Sequence, residues 1–531
     1  MALRYRITAL QSTGGDRVTF PELGVTCVVG GNNAGKSQLL REIYARATTG
    51  EENLSPLAIS AIEVIRPEGS AEETAAWLRD SFIEISRAPG VTSGFATSSG
   101  DNSMTPDEIR YWFDKTNQGA AYLGNAAHFF VQRSTAGSLT SYAAGSWQSN
   151  EYGASNAGLQ YLLKDGDLEE EFSAAILETF NQQVLLDRVT GSTILRVGEI
   201  TVPVPPLNRP TREYAMAVGA LDSLDSQGDG IRSFAGLALQ IITGRPNLML
   251  VDEPEAFLHP GQARAVGRWL ANQCAVRDIQ LIIATHDRDM VLGLIEGGSG
   301  APVNVIRVTR EDNLTRLAQL QPEEVRAVWD SPVLRYSNVL QGLFHRKVVI
   351  CESDGDCRFY GAALDELAQM SGKRSVADDI LLVPSGGKSA ISTLAAALSH
   401  LKVEAQTVVD FDALRNKPEL KAIVTSLGAT WSEDMNLHYV TFVSAANDGR
   451  VDWATLKSAG LAVVPAGPPN ESAARLLSLL REVGVHVVPD GEMESFMRTS
   501  GLHGPAWVTK ALEAGTHKSD AVVTFVQPIL V

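Results

Sequence analysis

The sequence has few cysteines, and their spacing forms no close pairs. Only four occur in 531 residues, and they show neither the close spacing of a zinc site nor the density of a disulfide framework. Three of them, Cys27, Cys274 and Cys351, lie in or beside apolar segments, and the fourth is Cys357. This pattern favours reduced thiols and a cytoplasmic protein.

Basic residues and long apolar runs are also scarce. The chain has 45 Lys and Arg against 62 Asp and Glu, so its net charge is −17, which argues against broad, non-specific binding of nucleic acid. A local basic groove is still compatible with that balance. No stretch of about 18 apolar residues occurs, and residues 1–6 carry charges where a signal peptide needs an apolar run. We therefore expect no membrane span.

The remaining composition is that of a globular protein long enough for several domains. Hydrophobic residues make up 44% of the chain and charged residues 20%. Predicted strands at 248–251 and 281–284 alternate with a helix at 262–273, which indicates α/β architecture with a mostly parallel sheet. A second alternation begins near residue 348. We therefore predict two domains, 1–343 with an insertion at about 51–225, and 344–531.

Other segments give weaker local signals. Residues 90–103 and 137–150 are rich in Gly, Ser, Thr and Ala, which predicts loops. Residues 185–201 alternate like a hairpin that turns near Gly191.

A glycine-rich motif near the N-terminus carries the clearest chemistry. Residues 30–37 read GGNNAGKS, matching G-x-x-x-x-G-K-[ST] between a predicted buried strand and a predicted helix at 36–46. Such a loop wraps backbone N–H groups around phosphates at a helix N-terminus. The lysine reaches the terminal phosphates and the serine hydroxyl binds Mg²⁺. The predicted ATP-binding residues are Gly30, Asn32, Asn33, Gly35, Lys36 and Ser37.

Two further strand ends complete the expected ATP site. Asp252 and Glu253 follow four apolar residues, so that Asp252 is placed to hold Mg²⁺ and Glu253 to act as general base. His286 follows another apolar strand, where a sensor of the γ-phosphate would stand. Gln132, after an apolar run, is a candidate for a further metal contact, although a solvated loop Gln is an equal alternative.

These pieces resemble the ATP-binding-cassette class of P-loop ATPases, which includes SMC and RecF proteins. The resemblance implies a head-to-head dimer or higher oligomer formed through the ATPase domain, with a signature loop closing the partner's ATP site. Residues 226–230, SQGDG, are the candidate signature, and they depart from the usual LSGGQ form.

Acidic residues also recur at predicted strand ends in the second half of the chain. Because the carboxyl ends of parallel strands meet at one edge of a sheet, we expect these carboxylates to converge. Carboxylates held together need cations, and all-oxygen sites favour Mg²⁺ or Mn²⁺, which suits attack on a phosphodiester. The residues are Glu352, Asp356, Asp410, Asp412, Glu492 and Glu494.

The spacing E-x-x-x-D, G-G-K, D-x-D and E-x-E resembles a Toprim (Rossmann-like) domain of the OLD nuclease family. Joined to an ABC-type ATPase, the chain is similar to OLD-family ATP-dependent nucleases, a group that includes Gabija-type, retron-associated and PARIS-related antiphage proteins. The resemblance implies Glu352 as general base or metal ligand, the other five acids as metal ligands, DNA as substrate and a possible defence-system partner protein.

Two departures from that pattern bear on activity. Ser353 stands where the family usually has Gly, and its bulk is expected to crowd the strand-to-helix turn. The family's late lysine has no clear match, and Lys388, Lys510 and Lys518 are the candidates.

Three alternatives to a DNA nuclease stay open from the sequence. Metal ions act on the phosphodiester, which DNA and RNA share, so an RNase that cuts tRNA is equally compatible with the motifs. An ATPase sensor or scaffold with an inactive Toprim domain is another alternative. A RecF- or SMC-like repair ATPase is the third, although no long heptad run indicates a coiled coil.

Overall fold

A computed structural model of the chain describes most of its residues. The described ranges are 3–50, 54–88, 91–97, 103–144, 157–191, 193–206, 209–244, 247–298, 300–330, 338–372, 377–498 and 502–530. Within these ranges, every helix is too short or too polar to cross a lipid bilayer. The chain divides into two compact units, Met1–Arg326 and Ala327–Val531.

The strands are numbered in chain order. They are β1 (Arg6–Ser12), β2 (Arg17–Thr19), β3 (Gly24–Val29), β4 (Ile59–Ile65), β5 (Ile83–Ala88), β6 (Val91–Ala96), β7 (Ser103–Met104), β8 (Val131–Thr135), β9 (Val184–Asp187), β10 (Ile194–Val197), β11 (Asp222–Ser223), β12 (Leu248–Asp252), β13 (Gln280–Ala284), β14 (Val303–Glu311), β15 (Leu314–Leu320), β16 (Lys347–Cys351), β17 (Ile380–Pro384), β18 (Glu404–Val409) and β19 (Val485–Val487).

The α-helices are named by their ranges. They are Lys36–Thr48, Ala71–Ser81, Pro106–Arg110, Ala127–Phe130, Ala136–Tyr142, Ala157–Lys164, Gly166–Phe180, Arg212–Ala220, Asp229–Gly244, Pro260–Arg277, Arg288–Gly297, Pro322–Asp330, Asp354–Ser371, Lys388–His400, Lys417–Ser426, Glu433–Asn447, Trp453–Ala459, Pro468–Glu482, Gly504–Glu513 and Asp520–Leu530.

A six-stranded sheet forms the centre of the first unit, in the order β15-β14-β3-β13-β12-β8. All neighbouring pairs are parallel except β14 with β15, which pair antiparallel. Every residue of β3, β12 and β13 is buried, as expected for near-continuous apolar strands covered on both faces. The parallel strands therefore end at one edge, where the P-loop and Asp252 lie.

Part of the segment from 51 to 225, which the sequence predicts as an insertion, belongs to the sheets of the first unit. Strand β4 pairs with β1 in a three-stranded sheet, β2-β1-β4, and β8 is the edge strand beside β12 in the six-stranded sheet. A separate three-stranded sheet, β11-β10-β9, contains the hairpin that the alternation predicts, with β9 and β10 antiparallel. The insertion prediction is therefore wrong for β4 and β8.

Both predicted glycine- and serine-rich loops contain regular structure. Strand β6 lies within 90–103 and pairs antiparallel with β5 and β7. The helix Ala136–Tyr142 overlaps the start of 137–150, and a capping box between Thr135 and Ser138 starts it. Residues 90, 98–102 and 145–150 of these two predicted loops lie outside the described residues. Gly236 lets the neighbouring helix approach closely, because a Cβ there would lie 2.0 Å from the Leu139 carbonyl oxygen. Tertiary packing outweighs the local composition here.

The second unit contains a parallel four-stranded sheet in the order β17-β16-β18-β19. Its division from the first unit falls at 326/327, earlier than the predicted 343/344. A 3-10 helix, Asn338–Phe344, precedes β16 and belongs to this unit. A Cβ at its Gly342 would meet Val348 and Leu398 side chains, so this segment packs on the second sheet.

Candidate functional site

The P-loop lies between the carboxyl end of β3 and the helix Lys36–Thr48. Gly30 has φ 149°, and a Cβ there would lie 2.3 Å from the Val308 carbonyl oxygen, so the strand exit requires glycine. Gly35 precedes the helix in the left-handed region with φ 103°. Asn33 also has positive φ, at 62°, a conformation that Asn tolerates better than most residues. Asn32 lies exposed in the same loop.

Lys36 and Ser37 link this loop to the neighbouring strand. The Lys36 ammonium donates to the carbonyl oxygens of Gly30 and Gly31, at 2.9 and 3.0 Å. The Ser37 hydroxyl donates to Asp252 Oδ1 at 2.9 Å. Burial lowers the pKa of Lys36 and raises the pKa of Asp252. The serine and aspartate predicted to share Mg²⁺ are therefore in direct contact.

Glu253 and His286 meet at the exits of β12 and β13. His286 Nδ1 lies 3.2 Å from Glu253 Oε1. Glu253 has φ 52°, a left-handed conformation that is unusual for a residue with a Cβ, and its N–H donates to the Ala284 carbonyl at 2.9 Å. The backbone turn thus aims the carboxylate at the imidazole.

Gln132 lies away from the P-loop, whereas the candidate signature precedes a helix as its sequence predicts. Gln132 lies within β8 in register with Met249, three residues before Thr135, which is the partner of Asp252. At about 3.3 Å per residue, Gln132 is set back about 10 Å from the carboxyl edge, so the fold does not bring it to the P-loop. The candidate signature falls at the start of the helix Asp229–Gly244, and Ser226, Gly228 and Asp229 are exposed.

Two residues near the ATP site have no counterpart in the sequence prediction. Arg133 in β8 lowers the pKa of Asp252 by its charge, acting against burial. Glu255 is buried and contacts the backbone of His286. The only signal for Glu255 is its place two residues after Glu253.

A cluster of carboxylates lies at the carboxyl edge of the second sheet. Glu352, Asp410 and Asp412 each offer a ligand oxygen, and these oxygens lie within 4.8 Å of one another. The Asp410 N–H donates to Glu352 Oε1 at 3.1 Å. Lys388 lies in the same cluster, with its ammonium in contact with Asp412 and 3.7 Å from Glu352. The donor set is all oxygen, which fits Mg²⁺ or Mn²⁺.

Burial and mutual repulsion perturb these carboxyl groups. Burial, with the charges of Glu352 and Asp356, raises the pKa of Asp410 to about 8. Burial also raises the pKa of Glu352, against the opposing charge of Lys388. Once Asp410 ionises, three carboxylates with one ammonium leave surplus negative charge, which a divalent cation would neutralise.

Asp356, Glu492 and Glu494 lie around this cluster without joining its closest group. Asp356 accepts a hydrogen bond from the Ser353 N–H at 2.8 Å, and burial raises its pKa, with a contribution from the charge of Glu494. Glu494 accepts from the Gly504 N–H at 3.0 Å. Glu492 Oε2 lies 3.6 Å from the Lys457 ammonium.

The three candidate lysines lie in different surroundings, and Ser353 begins a helix. Lys388 is the candidate in the cluster, whereas Lys518 pairs with Glu366 at 2.8 Å and Lys510 is exposed. Lys457 was not predicted; burial lowers its pKa, but the charges of Asp412 and Glu492 outweigh this and raise it. Ser353 has extended backbone, φ −136°, and caps the helix Asp354–Ser371, so its side chain does not crowd the turn.

Replacing Asp410 with Asn should stabilise the metal-free protein at high pH. An acid with a raised folded-state pKa costs stability once the unfolded form ionises, so the cost grows from about pH 4 and is complete above about pH 8. We expect D410N to raise the Tm at pH 8.5 by about 2–4 °C, corresponding to roughly 1 kcal/mol. The gain should disappear near pH 4. Thermal unfolding of D410N and the wild type in EDTA measures this difference in Tm. An equal gain in Tm at both pH values would contradict the expected cost of ionising Asp410 in the folded protein.

An open cleft adjoins this cluster. Residues 352–354 and 384–387 line it, and they stand at the starts of the helices Asp354–Ser371 and Lys388–His400. Helix N-termini favour anions, so a phosphate group suits this cleft.

Sequence comparison relates parts of the chain to known proteins. Residues 220–292 match the family described as "AAA domain, putative AbiEii toxin, Type IV TA system". A 74-residue stretch is 38% identical to the phosphonates import ATP-binding protein PhnC 1 of Rhodopseudomonas palustris (strain BisB18). That stretch is 13% of this chain and 27% of the relative, so the chain spans about a quarter of the curated protein it matches.

Solved structures give distant likenesses. The SMC head domain from Thermotoga maritima has 15% identity and a TM-score of 0.30, covering 60% of this chain and 100% of that one. The cbiO1 structure from Clostridium perfringens, part of the ABC transporter complex cbiONQ, has 13% identity and a TM-score of 0.30, covering 64% and 96%. The Smc head domain with an extended coiled coil, from Pyrococcus furiosus, has 13% identity and a TM-score of 0.34, covering 61% and 99%.

The family match contains Asp252, Glu253 and His286, and the P-loop lies at the same sheet edge. The chain therefore contains an ATP-binding, ABC-type P-loop ATPase domain. The family match does not extend into the second unit.

Proposed function

We propose that this protein is an ATP-dependent nuclease in which the P-loop unit hydrolyses ATP and the second unit cuts DNA with divalent metal ions. The ATP state would gate cleavage. One observation carries the nuclease part: ligand oxygens of Glu352, Asp410 and Asp412 lie within 4.8 Å of one another at a sheet edge. We further propose a Toprim-type second domain of the OLD family, a head-to-head dimer, a role in antiphage defence and a defence-system partner protein.

The contacts of the ATPase site support a division of roles. Backbone N–H groups of the P-loop and Lys36 would bind the phosphates, and Ser37 and Asp252, which contact each other, would hold Mg²⁺. Glu253 would take the proton from the attacking water. His286, 3.2 Å from Glu253, would orient that carboxylate and contact the γ-phosphate.

Changing Glu253 to Gln should stop hydrolysis while leaving ATP bound. The amide keeps the size of the carboxylate but takes up no proton, so we expect turnover to fall by about 10²–10⁴-fold. Bound nucleotide, measured by equilibrium dialysis, should stay within a few-fold of the wild type. Retained turnover would remove Glu253 from the role of base.

The same variant tests dimerisation. If ATP bridges the ATPase domains of two copies, adding ATP should shift E253Q toward a dimer. Light scattering would show the increase in mass. An unchanged mass with bound ATP would contradict the proposed dimer.

In the second unit, the carboxylates would hold the metals and Lys388 would contact the substrate. Glu352, Asp410 and Asp412 form the innermost ligand set, with Asp356, Glu492 and Glu494 around it. A bound divalent cation there supplies charge stabilisation at the scissile phosphate and lowers the pKa of water. Lys388 contacts Asp412 and follows Gly387 of the adjoining cleft, so its ammonium would be placed to contact a phosphate bound there.

Substrate class is tested directly by incubating the protein with plasmid DNA and with total tRNA. Each reaction contains Mg²⁺ or Mn²⁺, with and without ATP. We expect nicking or linearisation of the plasmid and intact tRNA. Cleaved tRNA with intact plasmid would make the protein an RNase, and no cleavage of either would favour the scaffold alternative.

A further inference from the structure

Glu255 is a buried carboxylate at the ATP site with an incomplete set of partners. Its side chain is only 4% exposed, and it lies two residues beyond Glu253. Oε1 accepts hydrogen bonds from the Thr285 hydroxyl at 2.5 Å and from the His286 N–H at 3.1 Å. Oε2 is buried and has no hydrogen-bond partner among the described residues.

These bonds fasten the segment that carries His286. Thr285 is fully buried, and its hydroxyl accepts from the Asp287 N–H at 3.0 Å while donating to Glu255. Its own N–H donates to the Val28 carbonyl, on the strand that leads into the P-loop. One carboxylate oxygen therefore fixes both the side chain before His286 and the backbone of His286.

The geometry connects Glu255 with the reacting groups. His286 Nδ1 lies 3.6 Å from Glu255 Oε1 and 3.2 Å from Glu253 Oε1. The His286 and Glu253 side chains are 47% and 42% exposed, so neither is held by packing alone. Of the three side chains, only Glu255 is anchored in the interior.

We propose that Glu255 is a positioning residue for ATP hydrolysis, which holds His286 against Glu253 through Thr285 and the His286 backbone. A buried carboxylate with one oxygen unsatisfied destabilises the fold, and an apolar residue would brace a strand end at lower cost. The presence of a carboxylate at position 255 is explained if ATP hydrolysis needs His286 at a defined distance from the γ-phosphate. This inference rests on the proposed roles of Glu253 and His286.

Replacing Glu255 with Ala should lower kcat for ATP by about 10²-fold, since small displacements of a catalytic group have effects of that size. KM for ATP should stay within about twofold, because the P-loop contacts are untouched. E255Q keeps an oxygen acceptor and should recover most of the lost kcat. Thr285→Val removes the hydroxyl's bonds with Glu255 and with the Asp287 N–H but leaves the bond from the His286 N–H to Glu255, and it should lower kcat without changing KM.

A second buried glutamate provides the matched control. Glu42 is 6% exposed and accepts bonds from the N–H groups of Ala58 and Ile59 at 2.9 to 3.1 Å. Glu42→Gln should lower the Tm while kcat per folded molecule stays near that of the wild type. If E255A behaves like E42Q, Glu255 is a structural brace and the proposal is overturned.

A double-mutant cycle with His286→Ala separates the remaining explanations. If Glu255 acts through His286, E255A should cost little further kcat in the H286A background. An undiminished further loss would overturn the proposal, as would normal kcat in both E255A and T285V. Absence of ATP hydrolysis by the wild type would instead refute the proposed ATPase site, so the two failures are distinguishable.

Discussion

Replacing Lys36 with Ala should reduce ATP turnover by about 10²–10³-fold, the usual cost of losing one preorganised charge at a transferring phosphate. The Lys36 ammonium is buried among P-loop carbonyls, 2.9 Å from that of Gly30. ATP phosphates would compete for this ammonium and take over its contacts. Removing it leaves the backbone N–H groups without the charge that neutralises the terminal phosphates.

Steady-state phosphate release and nucleotide binding both measure the effect of this change. Lys164→Ala is a suitable control, because that lysine lies exposed at the end of a helix in the same unit. Turnover should be normal in K164A. Wild-type turnover in K36A would refute the assignment of residues 30–37 as the phosphate-binding loop.

Replacing Glu352 with Ala should slow metal-dependent cleavage about 10²-fold. Loss of one inner carboxylate from the cluster removes about 3 kcal/mol of transition-state stabilisation, or roughly 10²-fold in rate. Glu352 lies at the exit of β16, where its Oε1 accepts from the Asp410 backbone, so it also fixes the neighbouring ligand. Plasmid cleavage under excess metal measures the rate.

The matched control for Glu352 is Asp448→Ala. Asp448 follows the helix Glu433–Asn447 in the same unit, is 63% exposed and pairs with Arg450 at 3.1 Å. D448A should cleave at nearly the wild-type rate, and ATP turnover should be normal in both variants. Equal loss of cleavage in both variants would indicate a general effect of removing an acidic side chain, and not the loss of a metal ligand.

The sequence carries enough information to predict the strand ends at both sites. Parallel strands bring their carboxyl ends to one edge, so Asp252 and His286 could be placed near the P-loop from apolar runs alone. The same rule brings Glu352 close to Asp410 and Asp412. Glu352 and Asp410 are 58 residues apart in the chain and are joined by a hydrogen bond. Both predictions require only that the strands of each sheet are parallel, and no knowledge of how their side chains pack.

Residues whose position depends on register or on distant packing could not be predicted. Gln132 follows an apolar run, but β8 continues to Thr135, so the residue lies inside the strand. Lys457 reaches Glu492 from the helix Trp453–Ala459, which carries no motif. The helix Ala136–Tyr142 depends on a close approach at Gly236, 100 residues later in the chain.

The proposed coupling of the two sites is tested most directly by the ATP dependence of DNA cleavage. Plasmid is incubated with Mg²⁺ or Mn²⁺ and either the wild type or K36A, with and without ATP. ATP should change the cleavage rate of the wild type several-fold and leave that of K36A unchanged. Cleavage by the wild type at equal rates with and without ATP would contradict a nuclease gated by its ATPase.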